Sequence, residues 1–414
     1  MDLELVTVGN ELLLGFVVDT NSAFLGQALS AAGFRIARRT SVPDDPSAVR
    51  DAVGEALRRT RLVLTTGGLG PTKDDLTKVA VAELFGAPLE FQPAIWEELA
   101  ARWARMGRTI AERNRCQAEV PRGATVIPNR WGTAPGLWLA GEPGEVIMLP
   151  GVPLEMRNLL THEILPRLAA RSGGTVIRSL VVRTTALPES VLADRVAAIE
   201  STIEPLSLAF LPTLDGVDLR LTAWNLPPDE ADRRLAEAAA RLEGALESHA
   251  YARDREDLAE VLLRAARERR LTVAVTESCT GGLVSKRITE IAGSSDVFVG
   301  GVVAYGNEVK RDLLDVPQPT LDAHGAVSAE TAAAMASRIR RRLGASLAVA
   351  VTGIAGPDGG SDEKPVGLVW FGFDGPQGIQ TERYVFPGTR PEIRARAAQF
   401  ALWGLLRRAK SAGD

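Results

Sequence analysis

Through residues 1–170, short apolar segments rich in β-branched residues alternate with stretches of helical spacing, and that alternation admits few folds. Residues 3–8, 35–42 and 61–66 are strand-like, whereas 21–32, 46–60 and 75–85 carry apolar residues at helical intervals. The order argues for a parallel sheet covered on both faces. Residues 136–140 and 145–149 flank the turn Gly141-Glu142-Pro143-Gly144 and read as a hairpin. Helix-compatible sequence at 152–170 closes the unit.

A chain of 414 residues exceeds the size at which one core keeps growing, so two or three domains are expected. Residues 171–174 (RSGG) read as a linker. A smaller α+β block follows, with strand-like 181–184 and 217–224, a helix around 189–199 and a long helix from Asp229. Residues 251–256 carry charge without an apolar pattern and read as the next boundary. Three domains are therefore expected: α/β at 1–170, a small α+β connecting domain at 175–250, and α/β at 255–414.

The net charge of −4, with both signs interspersed, gives no electrostatic footprint for nucleic acid or an anionic membrane. No apolar run approaches a membrane span, and the opening MDLELVTVGNE has carboxylates where a signal peptide needs lysine or arginine. Cys116 and Cys279 lie far apart without ligand-like spacing, which suggests a reducing cytoplasm rather than a disulfide framework or zinc site. His162, His249 and His324 do not cluster. Hydrolytic chemistry here would take its base from lysine, tyrosine or carboxylate.

Chemistry concentrates at 275–282, VTESCTGG. An apolar segment at 271–275 ends in small polar residues and a glycine pair, ahead of helix-compatible 283–291. A serine at such a hand-over sits beside free backbone N–H groups that can hold a developing negative charge. The same residues also fit an N-cap serine on a buried helix. Three more strand-then-loop segments follow: 297–303 into AYGNEVK, 347–351 into TGIAGPDGG, and VFPGTR at 385–390 before a helix. Loops after the ends of parallel strands are where open α/β sheets bind ligands.

The four loops complement one another. Ser278 can attack an acyl carbon once a base takes its proton. Lys310 can be that base if burial or a nearby cation, Arg390 or Lys286, lowers its pKa. Tyr305 can relay the proton or orient the lysine. The glycines of 352–360 let the backbone approach a phosphate, Thr352 adds a hydroxyl, and Arg390 can clamp phosphate bidentately. Taken singly, Lys310 also fits a solvated surface lysine, and Tyr305 a packed strand-end aromatic.

ESCTGG, GGVVAYGNEVK, HGAVS, VTGIAGPDGGSDEKPVGLVWF and FPGTR, in this order, resemble the C-terminal domain of the CinA family (competence/damage-inducible protein A) across residues 255–410. That domain is similar to nicotinamide-nucleotide amidase. The resemblance implies hydrolysis of nicotinamide mononucleotide to nicotinate mononucleotide and ammonia, with no cofactor. It implies Ser278 as nucleophile, a relay through Lys310 and Tyr305, and substrate contacts at Thr280, Gly281, Gly282, Thr352, Gly353 and Arg390.

At the other end, TTGGLGPTKDD (65–75) follows a buried-type strand and opens a helix. Its glycines free the backbone to wrap a phosphate, and a helix N-terminus favours anions. Asp74 and Asp75 suit a hard divalent cation bridging a pyrophosphate, and equally suit a helix cap. GNELLLG, DTNSAFL, this loop, GTAPG and LPGVPLEM are similar to the molybdopterin-binding fold of the MoaB/MogA type, which forms the N-terminal domain of CinA proteins. The resemblance implies metal-dependent hydrolysis of ADP-ribose to AMP and ribose 5-phosphate. Asp74 and Asp75 are then metal-associated, and Asn10, Glu11, Gly67, Gly68, Gly70 and Thr72 contact substrate. Two other readings stay open for this domain: a non-catalytic nucleotide sensor controlling the amidase, or a molybdopterin-processing module. A cytoplasmic homodimer is expected, without nucleic-acid or membrane partners.

Overall fold

The structure is a computed structural model describing residues 1–169, 171 and 173–412; Ala170 and Ser172, at the expected first boundary, and the terminal Gly413 and Asp414 lie outside the described residues. The chain divides into two compact units, Met1–Arg178 with Ala223–Arg234, and Ser179–Thr222 with Leu235–Asp414.

The first unit contains β1 (Asp2–Val8), β2 (Arg35–Val42) and β3 (Leu62–Thr66), a small ribbon of β4 (Leu89–Phe91) with β5 (Glu119–Pro121), and then β6 (Thr125–Ile127), β7 (Gly136–Gly141) and β8 (Gly144–Leu149). Its main sheet has the order β2-β1-β3-β8-β7-β6. The pairs β1–β2, β1–β3 and β3–β8 are parallel, and β7 runs antiparallel to both neighbours. The period of two along β1 sends alternate residues into two separate cores. Leu3 and Leu5 pack with Leu25, Leu29, Met156 and Leu159 on one face; Val6 and Val8 pack with Val49, Val53, Leu57 and Val81 on the other. The helix expected at 75–85 starts later, at Thr77–Leu84, because the Asp75 carboxylate accepts from the Thr72 N–H and hydroxyl and holds 72–75 as a turn. The segment expected as one helix at 152–170 is interrupted by a π-helical turn, Leu160–Ile164.

A four-stranded sheet follows along the chain, built from β9 (Val176–Thr184), β10 (Leu206–Pro212), β11 (Val217–Leu226) and β12 (Ala250–Arg253) in the order β10-β11-β9-β12. Here β10 escaped the sequence reading. Residues 251–256, expected as a boundary, begin inside β12, which pairs antiparallel with β9.

The last sheet comprises β13 (Val273–Glu277), β14 (Phe298–Val303), β15 (Leu347–Gly353), β16 (Leu368–Gly375) and β17 (Gly378–Val385), ordered β14-β13-β15-β16-β17. β13 lies parallel to both neighbours, and β16 antiparallel to both of its own, so β17 runs with β15. The carboxyl ends of β13, β14, β15 and β17 therefore share one edge. Helices Leu258–Glu268 and Arg390–Ser411 cover one face over Val273, Val275, Val349 and Phe371. Helix Ala329–Leu343 covers the other over Ala274, Ala348 and Ala350. These small residues let that helix come close: a Cβ on Gly372 would stand 2.1 Å from the Ala332 carbonyl oxygen. No helix among the described residues is long and apolar enough to cross a membrane.

Candidate active site

Ser278 is the first residue beyond β13, which the structure ends two residues later than the apolar run suggests. Its N–H donates to the Val351 carbonyl at 2.8 Å, which fixes the serine against the neighbouring strand end. Lys310 sits on the short helix Asn307–Asp312, 1% exposed. Its Nζ lies 3.2 Å from Ser278 Oγ, 2.9 Å from the Ala304 carbonyl oxygen and 3.1 Å from the Tyr305 carbonyl oxygen. Burial pushes the Lys310 pKa down. No neighbouring cation helps, contrary to the expectation that Arg390 or Lys286 would. Lys286 faces outward on Glu290 at 2.8 Å, and Arg390 is spent on other partners.

The three contacts of Nζ have a chemical consequence. Carbonyl oxygens only accept, so a neutral amine here must direct both of its N–H bonds at Ala304 and Tyr305. Its lone pair is left for Ser278.

The Tyr305 side chain does not join this pair. The ring is 59% exposed and its hydroxyl accepts from Arg390 Nη2 at 2.8 Å; the Tyr305 main-chain carbonyl, not the hydroxyl expected to relay the proton or orient the lysine, is what meets Lys310. Arg390 Nη1 also donates to the Gly356 carbonyl at 2.7 Å. One guanidinium thus ties together the loops after β14, β15 and β17. The Thr352 hydroxyl, expected to face phosphate, donates instead to the Ala326 carbonyl at 2.7 Å. Gly353 ends β15 where a Cβ would stand 2.6 Å from the Leu368 carbonyl oxygen.

The helix after Ser278 is also different from expectation. The N–H groups of Gly282, Val284 and Ser285, and the Ser285 hydroxyl, all donate to the Glu277 carboxylate at 2.7–3.0 Å. Glu277 is 1% exposed and was missed in the sequence, where a charge closing an apolar strand reads as its solvated end. With those donors committed, the Cys279 and Thr280 N–H groups are the donors of the turn that no carbonyl or carboxylate takes up among the described residues, and both lie beside the Cys279 sulfur. Gly281 and Gly282 make that turn at φ 58° and 93°. The Thr280 hydroxyl is buried without a partner, and the Thr280 carbonyl accepts from Arg394 at 2.7 Å. Burial pushes the Cys279 thiol up to about 12, so it stays protonated near neutrality.

In the first unit, the parallel ends of β1, β3 and β8 bring the other loops together. Gly67 and Gly68 sit at φ 107° and 68°, and added Cβ atoms would lie 2.3 Å from the Val8 carbonyl oxygen and 2.2 Å from Thr77 Oγ1. Gly70 leaves room for the Asp75 carboxylate, itself held by Thr72. Asn10 and Glu11 are exposed, the Asn10 N–H donating to Asp44 at 2.9 Å. Neither Asp74 nor Asp75 caps the following helix, whose N-cap residue is Leu76. Among the described residues no three carboxylate, histidine or cysteine side chains converge on one point, so these residues do not assemble a metal site by themselves. Lys78, one residue into the helix, is buried with Nζ on the Cys116 carbonyl, and burial lowers its pKa. A lysine that close behind a glycine loop was the available signal.

Three family descriptions match the chain in succession: "Probable molybdopterin binding domain" over residues 4–170, "Damage-inducible protein CinA KH domain" over 179–252, and "CinA C-terminal domain" over 255–409. A CinA-like protein of Gemmatimonas aurantiaca is 49% identical over 419 residues, spanning 100% of this chain and 98% of its own length. The chain belongs to the CinA family. A second CinA-like protein, from Synechococcus sp. (strain RCC307), is 44% identical over 91% of this chain and 90% of its own. The crystal structure of competence/damage inducible protein CihA from Agrobacterium tumefaciens is 44% identical, covering 36% of this chain and 92% of that one, with a TM-score of 0.35. In this CinA-family chain the block matched as a KH domain holds no G-x-x-G loop, and twelve carboxylates stand against six arginines between 179 and 252.

Proposed function

We propose that the Ser278–Lys310 site hydrolyses the carboxamide of nicotinamide mononucleotide, giving nicotinate mononucleotide and ammonia. The observation that carries this reading is the lone pair of Lys310, directed at Ser278 by two carbonyls in a buried setting. Lys310 takes the Ser278 proton as Oγ attacks the amide carbon, and the resulting ammonium returns that proton to the leaving nitrogen. A water that loses its proton to Lys310 then opens the Ser278 ester, releasing the carboxylate. The Cys279 and Thr280 N–H groups are the donors at hand for the oxyanion. The test is incubation of purified protein with nicotinamide mononucleotide, with products identified by mass and ammonia counted. Failure to release one ammonia per nicotinate mononucleotide would sink the reading.

For the first unit we propose hydrolysis of ADP-ribose to AMP and ribose 5-phosphate, supported by the glycine loop and the adjacent Asp74 and Asp75. A divalent cation would supply charge neutralisation at the pyrophosphate, with Asp74 as the exposed carboxylate available to it. One observation favours a second reading. With Asp75 committed to Thr72 and no carboxylate cluster among the described residues, the loop also suits nucleotide binding without turnover. ADP-ribose binding without AMP release, at saturating divalent metal, would select it.

A further inference from the structure

A cavity of about 360 Å³ lies within the second unit, walled by the loops at 185–189 and 212–217 and by Tyr384, Phe386, Arg396, Gln399 and Phe400. None of the proposed reaction's residues lines it. Its lining combines three features. Tyr384 stacks on Phe386 at 5.1 Å and 20° and leans on Phe400 at 4.8 Å, yet remains 38% exposed. Gln399 is 2% exposed, and its Oε1 must face Arg287 Nη1, 2.7 Å away, because a guanidinium only donates. That orientation leaves Gln399 Nε2 as a buried donor without a partner. Finally, Arg396 is half-buried, gives one N–H to the Pro387 carbonyl and forms no salt bridge among the described residues.

An aromatic platform, an amide donor lacking an acceptor, and a guanidinium that lies near Glu392 and has N–H groups beyond its bond to Pro387 form a set that an aliphatic occupant would leave unsatisfied. A polymeric nucleic acid is disfavoured by the acidic module that supplies two of the walls. We propose that this cavity binds a small nucleoside-type molecule, its planar heteroaromatic ring stacked on Tyr384. A ring nitrogen or exocyclic oxygen accepts from Gln399 Nε2 once that shielded amide swings toward the cavity, and Arg396 donates to the sugar. The volume is at the lower end of the range for small-molecule sites, about 300–1,000 Å³.

The test uses the full chain titrated calorimetrically with adenosine, guanosine and uridine, and with inorganic phosphate as the ring-free control. Leu214→Trp fills the cavity from an exposed loop position, and Tyr384→Ser removes the platform from the same pocket. At least one nucleoside should bind the wild type, with affinity at least tenfold weaker in both variants while their melting temperatures stay near the wild type's. Phosphate alone should not bind at the cavity. Nucleoside binding that both variants retain would place it elsewhere and overturn the proposal. So would no binding by any nucleoside, or a wild-type dimer that Leu214→Trp dissociates in sedimentation, which would make the cavity a self-association surface.

Discussion

In the proposed amidase Lys310 would draw its reactivity from where it is buried, not from a neighbouring charge, and this makes its substitutions discriminating. Lys310→Arg keeps a positive charge that does not deprotonate near neutrality. It should lose amidase rate about as fully as Lys310→Ala, on the order of 10²–10⁴-fold for a missing general base. An active arginine variant in the ammonia assay would reassign the base. Because the neutral amine is the reactive form, the rate should rise with pH through the depressed pKa. The same shift acts on stability. The folded pKa lies below the unfolded one, so between the two the unfolded chain binds more protons and stability rises with pH. The melting temperature of wild type relative to Lys310→Met should therefore climb as pH approaches the ordinary lysine value of about 10.4; a flat difference would mean Lys310 is charged in the fold. Tyr305→Phe should cost less than about tenfold and leave the pH profile unmoved. Only the Arg390 contact is lost, and a neutral hydrogen bond contributes about 0.5–1.5 kcal/mol.

At the scale of elements, the turn after β13 depends on Glu277. Its carboxylate accepts four donors, and a glutamine must turn an N–H₂ toward some of them. Glu277→Gln should destabilise the second unit by about 1–3 kcal/mol in urea unfolding. It should also speed amide exchange at Gly282, Val284 and Ser285; unchanged exchange there would show that the cap is dispensable. The elements around this turn were legible because β13 and β15 are short apolar runs bounded by glycine, and the Ser278 and Lys310 segments announced themselves by a serine at a strand end and a lysine after a tyrosine loop. What stayed hidden is side-chain direction. Spacing does not reveal that Tyr305 offers its carbonyl, that the Thr352 hydroxyl turns to Ala326, or that Glu277 faces inward. Those choices are set by strand register and by helix Arg390–Ser411, both long-range. The four-residue strand β12 was missed for the same reason: pairing with distant β9 makes it a strand, with little local pattern of its own. β10 is different, because LSLAFLP carries an apolar pattern and pairs with β11 only four residues further on, so its signal was local and was passed over.

For the molecule as a whole, the two proposed reactions reside on different compact units, so their losses should separate. Ser278→Ala should abolish ammonia release and leave ADP-ribose turnover within about twofold of wild type, as expected of sites that do not couple. Asp74→Asn should do the reverse at limiting divalent metal. Coupled losses in either variant would mean that the sites communicate. One further consequence follows from the guanidinium of Arg390, which gathers three loops from the first turn of the last long helix. On the ribosome the chain emerges in order, and domains fold as they appear. The first unit is complete once residues 223–234 have been made, whereas the loops around the serine–lysine pair wait for the helix that begins at Arg390. A nascent chain stalled before residue 390 should therefore hold a folded glycine loop at 65–75 and a Ser278–Lys310 site whose loops are not yet gathered. The two activities would be born at different times on the same polypeptide.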